Sequence, residues 1–351
     1  MIFRLLLTVL ALSFLAGCKP APDAGQTTAA SNNPNKVRVY THRYFTVDQQ
    51  LFNQFTASTG IAVEIVRDSD EALLQRLQKE AAQPQADIFL ASDVFYLEEA
   101  RKAGLLQPFS SQAMDRNVPS RYRDNQGHWT AIDRGAVGLA YSRNRVDIRT
   151  LYTYNDLTAP QWRGRLLLGN PAKASNRGLV AGLIASNGEQ ATAQWLSGLM
   201  ANRNQEVYAA NDYELVRAIA SGKGDMVIVP SSTLLQMKAS GNPEYANPAK
   251  SLGFIFLTNP DKTSVFYVSG AGLVNNAPHR DLAVLLLEFL TGADQQPTLT
   301  SATIDYPINP MSLPHEFIDD IGGFYEYTVR LNDAAAQYQA ADRLIKAAGW
   351  K

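Results

Sequence analysis

From residue 37 onward the chain alternates two kinds of apolar spacing. VRVYT (37–41) sets apolar or β-branched residues at alternate positions and reads as a strand. TVDQQLFNQFTASTG then brings Leu51, Phe52 and Phe55 onto one face at helical spacing, with Thr46 as candidate N-cap and Gly60 as stop. IAVEIV predicts the next strand, a helix beginning near Ser69 sets Leu73, Leu74 and Leu77 at core spacing, and ADIFLA predicts a third strand. This β-α-β-α-β order predicts a parallel sheet covered by helices on both faces. The pattern returns later as strand GRLLLG, helices around 178–186 and 189–202, strand QEVYAA, helix DYELVRAIASG and strand DMVIV. Two α/β units of similar build are expected, with no repeat visible in the sequence itself.

The first eighteen residues follow a different pattern. MIFRLLLTVLALSFLAGC has one base, Arg4, an apolar run too short to span a bilayer, and small residues before Cys18, the layout of a secretory signal. LAGC resembles the lipobox of bacterial lipoproteins, in which cleavage leaves the cysteine as a lipidated first residue. Cys18 is the only cysteine, so an intramolecular disulfide is excluded and the thiol reads as an anchor. Residues 19–36 are rich in Pro, Ala, Thr and Asn with little to bury, and predict a flexible tether.

Composition narrows the function. At 351 residues there is length for two ordinary domains, and 33 acids against 32 bases leave no electrostatic footprint for a nucleic acid. No phosphate-binding glycine loop follows a strand, no HExxH or other i, i+4 histidine pair is present among His42, His128, His279 and His315, and the serines lack a GxSxG elbow. Asp68, Asp70 and Glu71 open a helix, where the dipole alone favours acids. No enzymatic activity and no cofactor are expected.

Ligands of open α/β sheets sit beyond the carboxyl ends of the strands. Those ends fall here at 41–45, 92–93, 133–134, 170–176, 210–212 and 231–232, all polar or small. Arg43, Ser175, Asn211, Ser231 and Ser232 describe a neutral-to-positive hydrogen-bonding cleft suited to an anion, with Arg43 as bidentate fork and Arg134 assisting. Helix capping is the competing role for Ser231 or Ser232. Tyr44, Phe45 and Tyr96 are candidate stacking groups, Tyr141 is expected to pack on a strand, and SGAG (269–272) is either hinge or ligand contact.

Six stretches, YTHRYFTVDQQLFNQFTASTGIAVEIV, ADIFLASDVFYLEEARKAGLLQP, GHWTAIDRGAVGLAYSRNRV, YNDLTAPQWRGRLLL, IASGKGDMVIV and DYPINP, together resemble the periplasmic ferric-iron-binding proteins of bacterial ABC importers. The resemblance runs in order from residue 37 to the C-terminus. It implies a type II periplasmic binding protein: two lobes, each a mainly parallel sheet flanked by helices, joined by crossover strands near 135–141 and 264–269. Lobe one would take 37–134 and 264–300, and lobe two 135–263 and 301–351. The family's ligands are tyrosines, two of them adjacent at the position of Ser231 and Ser232, a third aligned with Ser175, and a His-Tyr pair aligned with Tyr44 and Phe45. Every aligned tyrosine ligand is missing. A phenol becomes an anionic donor beside a highly charged cation, whereas a serine hydroxyl stays neutral. The remaining acids, Asp93 and Asp133, are too few to hold bare Fe(III).

The sequence therefore predicts a monomeric, lipid-anchored solute-binding protein of the cell envelope, serving an ABC permease and closing over a small anion or an anion-chelated metal. Within the same class, Fe(III) held as transported ligand by Tyr44, Asp93 and an exogenous anion is the alternative. Outside it stand an enzyme on the bilobal scaffold and a ligand-free sensor or adaptor lipoprotein.

Overall fold

In the computed structural model, residues 35–207, 209 and 211–351 are described; the signal segment, Cys18 and the tether lie outside the described residues. The first helix, Thr46–Thr59, stops where Gly60 turns left-handed at φ 73° and returns its N–H to Thr56 O. Its N-cap is Phe45 rather than Thr46, and no side chain caps it. The next helix, Asp70–Lys79, starts as expected, with the Ser69 hydroxyl accepting from the Ala72 N–H.

Among the described residues nine strands run in order: β1 (Lys36–Thr41), β2 (Ala62–Arg67), β3 (Ile88–Ala91), β4 (Trp129–Ser142), β5 (Leu166–Leu167), β6 (Met226–Pro230), β7 (Leu252–Ile255), β8 (Phe266–Leu273) and β9 (Tyr306–Pro307). β2, β1 and β3 are parallel, as the β-α-β-α-β order requires. β5 and β6 are parallel as well. The sheets are nonetheless mixed, because β8 returns antiparallel between β3 and β4, and β4 meets β6, β7 and β9 antiparallel. The strand expected at 205–210 does not form over 205–207; Tyr208 and Ala210 lie outside the described residues.

β4 carries the architecture. Residues 129–136 pair with β8, and residues 137–142 pair with β6 and β7, so one strand serves two sheets. Every residue of WTAIDRGAVGLAYS except Arg134 is buried, which fits a strand covered on both faces. Two cores meet on it. Val39, Phe55, Phe89, Trp129 and Leu287 belong to the first, Leu139, Trp162, Leu196 and Ile228 to the second, and the change falls between Ala136 and Val137. A smaller cluster with Val216, Val229 and Leu234 covers the other face of the second sheet. The stretch expected in lobe two from residue 301 divides its apolar side chains: Ile308, Tyr327 and Leu331 join the first core, Tyr338 and Ile345 the second. Among the described residues no helix is long and apolar enough to cross a membrane.

Candidate functional site

The register of β4 on β8 shifts between Ala131 and Asp133, a bulge that re-aims the side chain following it. Asp133 is fully buried there. Its Oδ1 accepts from the Ser269 N–H at 3.2 Å, and its Oδ2 receives Nη1 of Arg43 at 3.2 Å. The rest of the Arg43 guanidinium is equally committed. Nη2 lies 2.9 Å from Asp48 Oδ1 and donates to Leu299 O at 3.1 Å, Nε bonds both Asp48 oxygens, and the group sits 5.1 Å from the Phe45 ring centroid. The expected free fork is therefore a buried cation between two carboxylates. A charge removed from water has to be paired, and sequence spacing could not show that Asp133 lies within reach.

Two residues beyond the bulge, Gly135 leaves room for a second group. A Cβ on it would stand 2.3 Å from the hydroxyl of Tyr267 and 2.6 Å from Oδ1 of Asp305. Tyr267 projects from β8 into that space, donates to Asp305 Oδ1 at 2.8 Å and shares a hydrogen with Ser232 Oγ at 3.1 Å. Burial, reinforced by the negative charge of Asp133, pushes the Asp305 carboxyl up to about 8. Burial, then Asp305, raises the Tyr267 phenol well above its ordinary value. Asp48, Asp133 and Asp305 set three carboxyls against the single guanidinium of Arg43, and the raised Asp305 carboxyl lessens that excess.

Neither serine of the pair caps a helix. Ser231–Ala239 begins at Ser231 itself, with Pro230 at the N-cap. Ser231 is 0 % exposed and its Oγ has no hydrogen-bond partner, while Ser232 is drawn into the tyrosine cluster.

The other expected site residues lie elsewhere. Tyr44 is 67 % exposed, with the Arg67 guanidinium 5.9 Å from its ring. Asp93 is buried as N-cap of the Val94–Lys102 helix, accepting from the Phe95 N–H at 2.7 Å and the Tyr338 hydroxyl at 2.6 Å, and burial pushes its carboxyl up to about 6. Arg134 pairs with Glu326 at 2.7 Å between the rings of Tyr122, Tyr306 and Phe324. Asn211 accepts from the Glu214 N–H as an ordinary N-cap. Ser175 lies in the first turn of Ala174–Asn187. No hydrogen bond joins Tyr44, Asp93, Arg134, Ser175 or Asn211 to the Ser232–Tyr267–Asp305 group among the described residues, and no three His, Cys, Asp or Glu side chains there are grouped to hold a metal. Tyr267 and Asp305 went unnoticed in the sequence because they sit far from the serine pair. DYPINP contains Asp305, but its local pattern marks no ligand site.

Residues 41–297 match the family of bacterial extracellular solute-binding proteins. Iron uptake protein A2 of Synechocystis is 33 % identical over 283 residues, covering 80 % of this chain and 80 % of the relative. Iron uptake protein A1 of the same organism is 29 % identical over 343 residues, covering 98 % of this chain and 95 % of the relative. The structure of Trichodesmium IdiA (FutA) in complex with iron and citrate superposes with a TM-score of 0.85 at 28 % identity, covering 90 % of this chain and 100 % of that one.

Proposed function

The chain belongs to the bacterial extracellular solute-binding protein family, and from that premise we propose that it is the periplasmic receptor of an ABC importer, anchored through a lipid on Cys18, with chelated ferric iron as its cargo. The two lobes would be those expected above, with 327–335 added to the first, hinged where β4 changes sheets. Iron as cargo draws on the relatives named for iron uptake and iron binding. The chain is read as a binding protein and as a monomer.

One observation carries the choice of ligand: Tyr267 stands within hydrogen-bond reach of Ser232 and Asp305, beside the serine pair that the resemblance aligns with the family's adjacent tyrosines. A hard trivalent cation favours anionic oxygen, and on arrival it would displace the protons of Tyr267 and Asp305. Those are two donors. The remaining coordination would come from a small oxyanion travelling with the metal, so the cargo is a chelate and not the bare ion. A purely anionic solute finds less support, since Arg43 and Arg134 are both engaged by carboxylates.

Titrating metal-free protein with ferric citrate tests the proposal. Binding should bring a red-brown tyrosinate-to-iron absorption and release protons, and Tyr267→Phe should abolish the colour. Colourless binding, or colour that survives in Tyr267→Phe, would overturn it.

A further inference from the structure

At the opposite ends of the first-core strands, away from Arg43 and Asp93, lies a cavity of about 670 Å³ that the solute-binding role leaves unused. It opens where β3 and β4 begin: Trp129 pairs there with Gly272, and Leu106 bridges Val274. Four arginines line it, Arg121, Arg123, Arg280 and Arg330, with a single acidic residue, Asp124. Asp124 is not free to neutralise them. It is buried, with Oδ2 taken by the backbone N–H and ring of His128 and Oδ1 by the Asn332 amide.

Three of the four arginines pair with exposed carboxylates, and only Arg121 pairs with a buried one, Glu326. Arg280 pairs with Asp281, which is 90 % exposed, and Arg330 with Asp333, which is 51 % exposed. Arg123 gives one nitrogen to Asp115, while its Nε, shielded from solvent, has no partner. Arg121 reaches Glu326 at 3.0 Å and the carbonyl of Tyr327 at 3.3 Å. Exposed pairs between near neighbours in sequence hold their members weakly, so a ligand carrying several negative oxygens can replace Asp281 and Asp333 at little cost. Arginines from three separate segments line the cavity, and a planar fork matches carboxylate and phosphate oxygens two at a time.

We propose that this cavity is a second binding site, separate from the cleft, for a small multivalent oxyanion bearing carboxylate or phosphate groups. Charge number then sets affinity: a trianion engages three or four guanidiniums, an acetate only one.

Calorimetric titration of the full metal-free protein at low salt, with citrate, inorganic phosphate and acetate as probes, tests this. Citrate, phosphate or both should bind at least about tenfold more tightly than acetate, each added fork contributing a charge-assisted pair. The stronger of citrate and phosphate identifies the oxyanion type. Arg330→Gln, at a side chain 66 % exposed and therefore harmless to folding, should weaken binding roughly tenfold, and Arg123→Gln/Arg330→Gln should abolish it. Tyr267→Phe should leave it intact. Equal response to all three probes, no binding by the wild type, or affinity unchanged in the arginine variants would overturn the proposal; loss of binding in Tyr267→Phe would move the site to the cleft and overturn it equally.

Discussion

Tyr338 donates its phenolic hydrogen to Oδ2 of Asp93 across 2.6 Å, tying the C-terminal Tyr338–Ala347 helix to the head of the Val94–Lys102 helix. The contact joins elements of the two cores, and Gly178 accommodates it, since a Cβ there would stand 2.9 Å from the Tyr338 hydroxyl. Burial raises Asp93 to about 6, so its contribution to stability is complete below the ordinary carboxyl value and is lost as pH rises through about 6. Tyr338→Phe removes a bond that favours the ionised form. The variant should lose about 1–3 kcal/mol at neutral pH and less near pH 4. Urea denaturation across that range checks this, with parallel curves for the two proteins as the contrary result.

Asp305 gives a second pH dependence of the same sign. Its carboxyl is raised to about 8 by burial and by Asp133, so folding is favoured while it is protonated and penalised as pH climbs toward and past that value. Asp305→Asn keeps an acceptor for Tyr267 and cannot ionise. Compared with the wild type, its relative stability should rise from about pH 4 to about pH 8, the span between the ordinary and the raised carboxyl value, and level off above it. Thermal melts over the interval should show the wild type falling and the variant nearly level.

Arg43 separates a structural cation from a ligand fork. Arg43→Met leaves Asp48 and Asp133 buried without their counter-charge, which should cost about 3–5 kcal/mol. A residue whose work is to hold an anion would instead lose affinity at unchanged stability. Chemical denaturation and ligand titration on the same preparation distinguish these, and intact stability in the variant would return Arg43 to the list of ligand contacts.

Gly138 tests the strand that serves both sheets. A Cβ there would meet the Ile255 carbonyl and the Phe254 ring at 2.5 Å, so Gly138→Ala should destabilise the protein by about 1–3 kcal/mol through overpacking. Gly241→Ala has open space around it and serves as the control. Equal midpoints for the two variants would show that β4 yields more readily than its packing implies.

The elements that local pattern dictates were legible in the sequence. β1, β2, β3 and β6 and the helices around Leu51, Leu73 and Leu215 arise from short-range periodicity, and Gly60 ends its helix for a reason visible in one residue. The crossovers expected near 135–141 and 264–269 rest on the resemblance alone. Pairing across distance was not legible: nothing near Ser232 in the chain announces Tyr267, thirty-five residues on, or Asp305 beyond it. Arg43 and Arg134 look from their neighbours like free cations, and only the fold brings Asp133 and Glu326 to them. The short stretch around Val207 has strand-like residues but gains no strand partner over 205–207, where propensity alone does not decide.

The first core draws on Val37 at one end of the described chain and Ala335 near the other, with most of the second core threaded between them and its last members, Tyr338, Ile345 and Trp350, following. Order of synthesis and order of assembly therefore part company. A polypeptide halted at residue 265 would still lack β8, and with it the antiparallel neighbour of both β3 and β4. Neither half can be harvested as an independent fragment, and maturation must wait for nearly the last turn of the chain to arrive.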